Sequence, residues 1–127
     1  GGTEMIPRFR AWDKEENKMI NWGDLGFFKN KNDEDLRVLD LTYFPPKFKN
    51  VKLMQSTGLK DINGTEIYEG DIVENIYKEI GFIKNSKDAF CFNRKERNFY
   101  LSGIGAGSPF EILGNIYENP ELLEGQQ

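Results

Sequence analysis

The sequence predicts a mainly β fold built around a small antiparallel barrel, and three observations predict it. Apolar and polar residues alternate with a period of two in the first strand candidate, Arg8 to Trp12. Short apolar stretches then follow one another, separated by clusters of turn-forming residues, as in barrels and sandwiches. The third is the run TGLKDINGTEIYEGDIV, Thr57 to Val73, which packs two turn signals and three short strand signals into one segment.

The elements follow in order. Pro7 to Ile20 reads as a hairpin, with Phe9 and Ala11 on one face and Arg8, Arg10 and Trp12 on the other. The polar run Asp13 to Lys18 makes its turn, and Met19 to Trp22 returns. Residues 23–50 show no sustained period and read as an irregular insertion. Within them Leu36 to Tyr43 suggests one short strand, and Pro45-Pro46 disfavours helix. Val51 to Thr57 is a strand. Asn63-Gly64 is a hairpin signal of type I′, and Glu69-Gly70-Asp71 is a second reversal. Four further strands are expected at Asp71 to Tyr77, Gly81 to Ile83, Ala89 to Phe92 and Phe99 to Leu101, with a last one over Phe110 to Tyr117. This order resembles an SH3-like barrel. Asn119-Pro120 opens a one-turn helix, with Asn119 as its cap, and Gly125 ends it. The expected organisation is one domain over 5–127: hairpin 5–22, insertion 23–50, barrel 51–118 and tail 119–127. Gly1-Gly2 reads as a remnant of expression cloning, and Met5 as the native start.

Composition narrows the function. The net charge of −4 argues against a broad basic face for nucleic acid. No apolar run approaches the roughly 18 residues of a membrane span, and no signal peptide is legible, so a cytoplasmic protein is expected. The chain has no histidine and one cysteine, Cys91. Triads that use His, His-ligated zinc and thiolate zinc sites are therefore out of reach. No cofactor is indicated, and Cys91, between Phe90 and Phe92, reads as inert packing.

Three segments, PRFRAWDKEENKMI, TGLKDINGTEIYEGDIV and EILGNIYENPELL, resemble the YopX family of phage and prophage proteins. They fall at the two ends and the centre of the chain, so the resemblance covers most of it. It implies a single YopX-like domain in a phage-encoded protein made inside bacteria. It carries over no catalytic residues.

Four groups of residues are candidates for a site. Asp61, Glu66, Glu69 and Asp71 could support acid–base or Mg²⁺ chemistry, but turn capping explains them better. Arg8, Arg10 and Trp12 on one strand face could contact a phosphate or stack on a base; cross-strand ion pairing is the simpler explanation. The glycine-rich Gly103–Ser108 loop lacks the helix and Lys of a phosphate loop and reads as a connector. Tyr43, Phe44, Pro45, Pro46 and Phe48 form a candidate interaction surface. With no catalytic constellation and a surplus of aromatics (ten Phe, five Tyr, two Trp), a non-enzymatic protein-interaction module is expected. Its partners would be a second copy of itself and a host or phage protein. Nucleic-acid binding is the alternative, and a carboxylate-dependent enzyme the second alternative.

Overall fold

The computed structural model describes residues 7–29, 31–32, 36–87, 89–101 and 109–125. Twelve strands lie in this range: β1 (Phe9–Asp13), β2 (Lys18–Ile20), β3 (Leu25–Phe28), β4 (Arg37–Asp40), β5 (Lys47–Lys49), β6 (Val51–Lys60), β7 (Glu66–Tyr68), β8 (Asp71–Glu74), β9 (Ile80–Ser86), β10 (Ala89–Arg94), β11 (Arg97–Tyr100) and β12 (Glu111–Asn115). All their pairings are antiparallel. The described helix is confined to two 3-10 turns, Trp22–Asp24 and Pro120–Leu123. The mainly β expectation therefore holds. The readings of Gly1-Gly2, Met5 and the Gly103–Ser108 loop lie outside the described residues.

The chain forms two compact units, residues 1–55 and 56–127, and passes from one to the other within β6. In the first unit β1 lies between β2 and the opening half of β6, with Phe9 opposite Gln55 and Asp13 opposite Val51. Residues 23–50 are not irregular. They supply a three-stranded sheet in the order β3-β4-β5, with Leu25 opposite Asp40 and Leu39 opposite Phe48. The period is hidden because β5 is inside out. Its apolar Phe48 is 55% exposed, whereas the Lys49 side chain is only 7% exposed. Ala11 and Ile20 of the hairpin share one core with Leu25 and Val38 of this sheet. Phe9, Trp22 and Phe27 extend that core, with ring centroids 6.0–6.3 Å apart.

The second unit contains a five-stranded sheet in the order β11-β10-β9-β8-β12, and the closing half of β6 pairs with β7. Its core is Ile67, Val73, Ile83, Phe92, Leu101 and Phe110. Cys91 is fully buried, as its place between two phenylalanines suggested.

The turns differ in detail from their expected forms. At Asn63-Gly64 only Gly64 has a positive φ, 83°, so the turn is not type I′. The Gly64 N–H donates to the Asp61 carbonyl at 3.0 Å and the Asp61 N–H to Thr65 at 2.8 Å, the pattern of a three-residue loop closed by a left-handed glycine. Gly70, φ 89°, donates to the Ile83 carbonyl and accepts from Ile116, tying the β7–β8 reversal to its neighbours. At the C-terminus Asn119 does not cap the 3-10 turn. Its Oδ1 accepts from the Asn115 N–H at 3.2 Å, beside Gly114, where a Cβ would lie 2.4 Å from that oxygen.

Two glycine substitutions separate strain from collision. A Cβ at Gly64 meets nothing within 4 Å, so Gly64→Val is expected to cost about 1–2 kcal/mol from left-handed backbone strain. A Cβ at Gly81 would stand 2.3 Å from the Asn93 carbonyl, so Gly81→Ala is expected to cost more, about 2–4 kcal/mol. Urea denaturation of both variants checks the order.

Candidate functional site

The sequence-level carboxylate group does not converge. Asp61 is buried and spends both oxygens on backbone: Oδ1 accepts from Asn63 and Thr65 at 2.9 Å, and Oδ2 from Ile112 at 3.1 Å. Burial raises its pKa, but the Ile112, Thr65 and Asn63 N–H groups together outweigh that and hold it below the usual carboxylate range. Asp71 is also buried, with Oδ2 accepting from Tyr68 at 2.8 Å. Both carboxylates hold turns, as the capping reading expected. Among the described residues, no converging group of three or more carboxylates includes Asp61, Glu66, Glu69 or Asp71.

Three other carboxylates do converge. Among the described residues, Asp13, Glu16 and Asp40 bring oxygens within 4.8 Å of one another. Asp13 ends β1 and Asp40 ends β4, and both are fully buried. Each turns Oδ1 to the backbone ahead of it. Asp13 accepts from Glu15 at 3.0 Å and Glu16 at 3.3 Å; Asp40 accepts from the Thr42 N–H at 2.9 Å and its hydroxyl at 2.6 Å. Each turns Oδ2 to a lysine. Lys49 Nζ lies 3.2 Å from Asp13, and Lys18 Nζ lies 2.9 Å from Asp40. Glu16 joins the two halves, 2.6 Å from Lys49 and 3.8 Å from Lys18, and accepts a hydrogen bond from the Tyr43 hydroxyl. The Tyr43 ring faces Lys47, Lys18 and Lys49 at 4.2, 4.7 and 5.2 Å.

The electrostatics follow from these contacts. Hydrogen bonds from Lys49 and then Tyr43 lower the Glu16 pKa to about 2. Glu16 in turn raises Lys49 and Tyr43, and Asp40 raises Lys18. At Asp40 burial pushes the pKa up, but the bonds from Thr42 and Lys18 win and it falls. Three oxygens in this arrangement have the donor chemistry for a hard cation. The two ammonium groups of Lys18 and Lys49 already stand where its charge would go and offset two of the three negative charges, so the cluster is an ion network rather than an open cation site. Sequence reading missed it because its members sit in a turn and in the segment taken as irregular. The acidic-to-basic spacing inside Asp13 to Lys18 was the available signal.

The remaining candidates separate. Tyr43 belongs to the ion network, while Phe44 is 102% exposed and Pro45 and Pro46 are exposed. Phe48 meets Phe28 edge-on at 5.9 Å, with the Arg37 guanidinium 5.8 Å from the Phe48 ring. On the β1 face, Arg8 is exposed and Arg10 half-buried. Trp12 is only 8% exposed, opposite Met19 and Lys52, so it offers no ring for base stacking.

The family model described as YopX protein matches residues 8–124. The chain belongs to the YopX family. Two crystal structures share the fold at a TM-score of 0.64. One is protein EF1440 from Enterococcus faecalis, 28% identical, covering 95% of this chain and 100% of that one. The other is protein yopX from Bacillus subtilis, 25% identical, covering 94% and 98%. No curated protein matches the chain. The YopX match takes in the ion network, the aromatic residues around Phe44 and the five-stranded sheet alike.

The network has a defined pH window. Glu16 and Asp40 in the network, and Asp61 in the second unit, have lowered pKa values, so their contribution is complete above the ordinary carboxylate range and is lost as pH falls below it, for Glu16 toward about 2. Lys18 and Lys49 have raised values, so theirs is complete below the ordinary lysine value and lost above it. Thermal stability is therefore expected to be flat between about pH 5 and about pH 10 and to fall on both sides. Glu16→Gln should flatten the acid limb, and Lys49→Met should destabilise more than Lys47→Met; melting curves across pH check both.

Proposed function

We propose that this YopX-family protein is a non-enzymatic interaction module that self-associates through the exposed aromatic face of its N-terminal unit. The observation that carries this is Phe44, wholly exposed on a chain that buries most of its other large apolar groups at least in part. Phe28 and Phe48, 45% and 55% exposed, add a ring pair in the same unit. Burying each ring against a partner would supply about 1.5–3 kcal/mol, and a second copy offers the same surface in twofold or cyclic symmetry. The Tyr43 ion network supports the reading by pinning the start of the segment that carries Phe44.

Further parts of the reading rest on more general support. The strand order of the C-terminal unit favours an SH3-like barrel. A phage or prophage origin, action in the bacterial cytoplasm and a host or phage protein as second partner are consistent with family membership. Nucleic-acid binding is the weaker reading, since Trp12 is buried and the net charge is −4. A carboxylate enzyme is weaker still, because the converging carboxylates are met by lysines.

Light scattering on the protein at concentrations on the order of tens of micromolar tests self-association. An oligomer is expected, and Phe44→Ser with Phe48→Ser should lower its order while the circular dichroism of the fold is unchanged. A monomeric unmodified protein overturns the proposal.

A further inference from the structure

The C-terminal unit presents a second surface of a different kind. Strand β11 is an edge of the five-stranded sheet, and all four of its residues are exposed. Its inner side pairs with β10, from Cys91 opposite Tyr100 to Arg94 opposite Arg97. Among the described residues no strand pairs with its outer side, so that edge offers alternating backbone donors and acceptors. Beside it lies a groove of about 320 Å³. Its floor includes the buried Phe92 and Phe110, and its walls include Ile76, Tyr77, Phe99 and Tyr100. These four wall residues are 52–75% exposed, a dense apolar group next to an open strand edge.

Charge indicates what fits there. Successive side chains alternate between sheet faces, so Arg97 shares a face with Phe99, and across the ladder with Arg94 and Phe92. Ring centroids of Phe92 and Phe99, 6.4 Å apart, confirm that pairing. Arg94 is neutralised by Glu79 at 3.1 Å. Arg97 stands directly opposite Arg94, a like-charge pairing that costs stability, and has no acidic partner among the described residues. The intervening turn, Lys95-Glu96, adds one charge of each sign, so Arg97 is the cation left over at this end of the strand.

We propose that β11 and this groove bind an extended polypeptide segment by strand addition. The segment carries an acidic residue opposite Arg97 and, two positions away, an apolar or aromatic residue that enters the groove beside Phe99. Backbone bonds to the β11 edge supply affinity, and the two side chains supply selectivity. Facing side chains on adjacent strands lie close enough for the carboxylate to reach the Arg97 guanidinium. This site belongs to the C-terminal unit and stands apart from self-association through Phe44 and Phe48. Peptide binding reads the one and light scattering the other.

The test pans a phage-displayed random heptapeptide library against the whole protein and resynthesises enriched sequences with a fluorophore. The expected sequences hold Asp or Glu two positions from an aromatic or aliphatic residue. Arg97→Glu, an exposed change on a surface strand, should weaken their binding by about tenfold or more, as should Tyr77→Ser in the groove wall. N-methylation of alternate peptide amides should abolish binding, while methylation of the other set should not. Amide shifts in an NMR titration should centre on residues 97–100, and the same spectra show that each variant is folded. The proposal is overturned if no sequence is enriched over an unrelated protein of similar charge. It is equally overturned if bound peptides ignore both Arg97→Glu and backbone methylation, or if Arg97→Glu instead dissolves a dimer of this chain.

Discussion

The side chain of an Asp or Asn at the end of a strand, folded forward onto the turn that follows, is the contact on which the rest of the structure depends. Among the described residues it recurs five times with one geometry. Asp13, Asp40, Asp61, Asn75 and Asn115 each close a strand, and the Oδ1 of each accepts the backbone N–H two residues ahead, at 2.9–3.0 Å. Four of them take a second backbone bond one or two residues further on, at 2.9–3.3 Å. Short strands joined by short turns leave many backbone groups without a ladder partner, and an unmet buried donor costs about 1–3 kcal/mol. These side chains meet that need locally, within four residues along the chain. They mark the ends of five of the twelve described strands, β1, β4, β6, β8 and β12.

The ion network follows from the same device. Once Asp13 and Asp40 have turned one oxygen to the backbone, the other is buried and charged. A buried charge requires a partner, and a lysine near the start of β2 and another at the end of β5 provide it. Glu16 and Tyr43 then close the gap between the two pairs. The arrangement couples the β1–β2 turn to the segment after β4, which is the segment that carries Phe44. Its value is better described as fixing geometry than as adding stability, because desolvation offsets much of the attraction in such pairs.

The legible parts of the fold were those in which apolar side chains face inward. The alternation of Phe9 and Ala11 with Arg10 and Trp12 marks β1, and the core of the first unit uses the face it predicts. The turns at Gly64 and Gly70 were placed correctly, although the Asp61 carboxylate, by capping two amides, selects a loop other than type I′. Strand β5 was illegible because its inward residue is Lys49 and its outward residue is Phe48, the reverse of the usual pattern. Strand β3 is four residues long, and its glycine interrupts any alternation. The converging carboxylates were missed for a related reason: Asp40 lies in the strand expected over Leu36 to Tyr43, but its neighbours β3 and β5 were not legible, so nothing in the sequence brings it to Asp13. The Trp12 ring is not open to a stacked base because it is buried, although it shares a face of β1 with Arg8 and Arg10.

Amide hydrogen exchange measured by NMR near neutral pH tests most directly whether Asp13, Asp40, Asp61, Asn75 and Asn115 anchor the turns. The amides of Glu15, Thr42, Asn63, Tyr77 and Tyr117 should each be protected about a hundredfold or more over a random coil, although all lie in turns. Exchange of these five at random-coil rates, with the β9 and β10 ladders still protected, would contradict the anchoring.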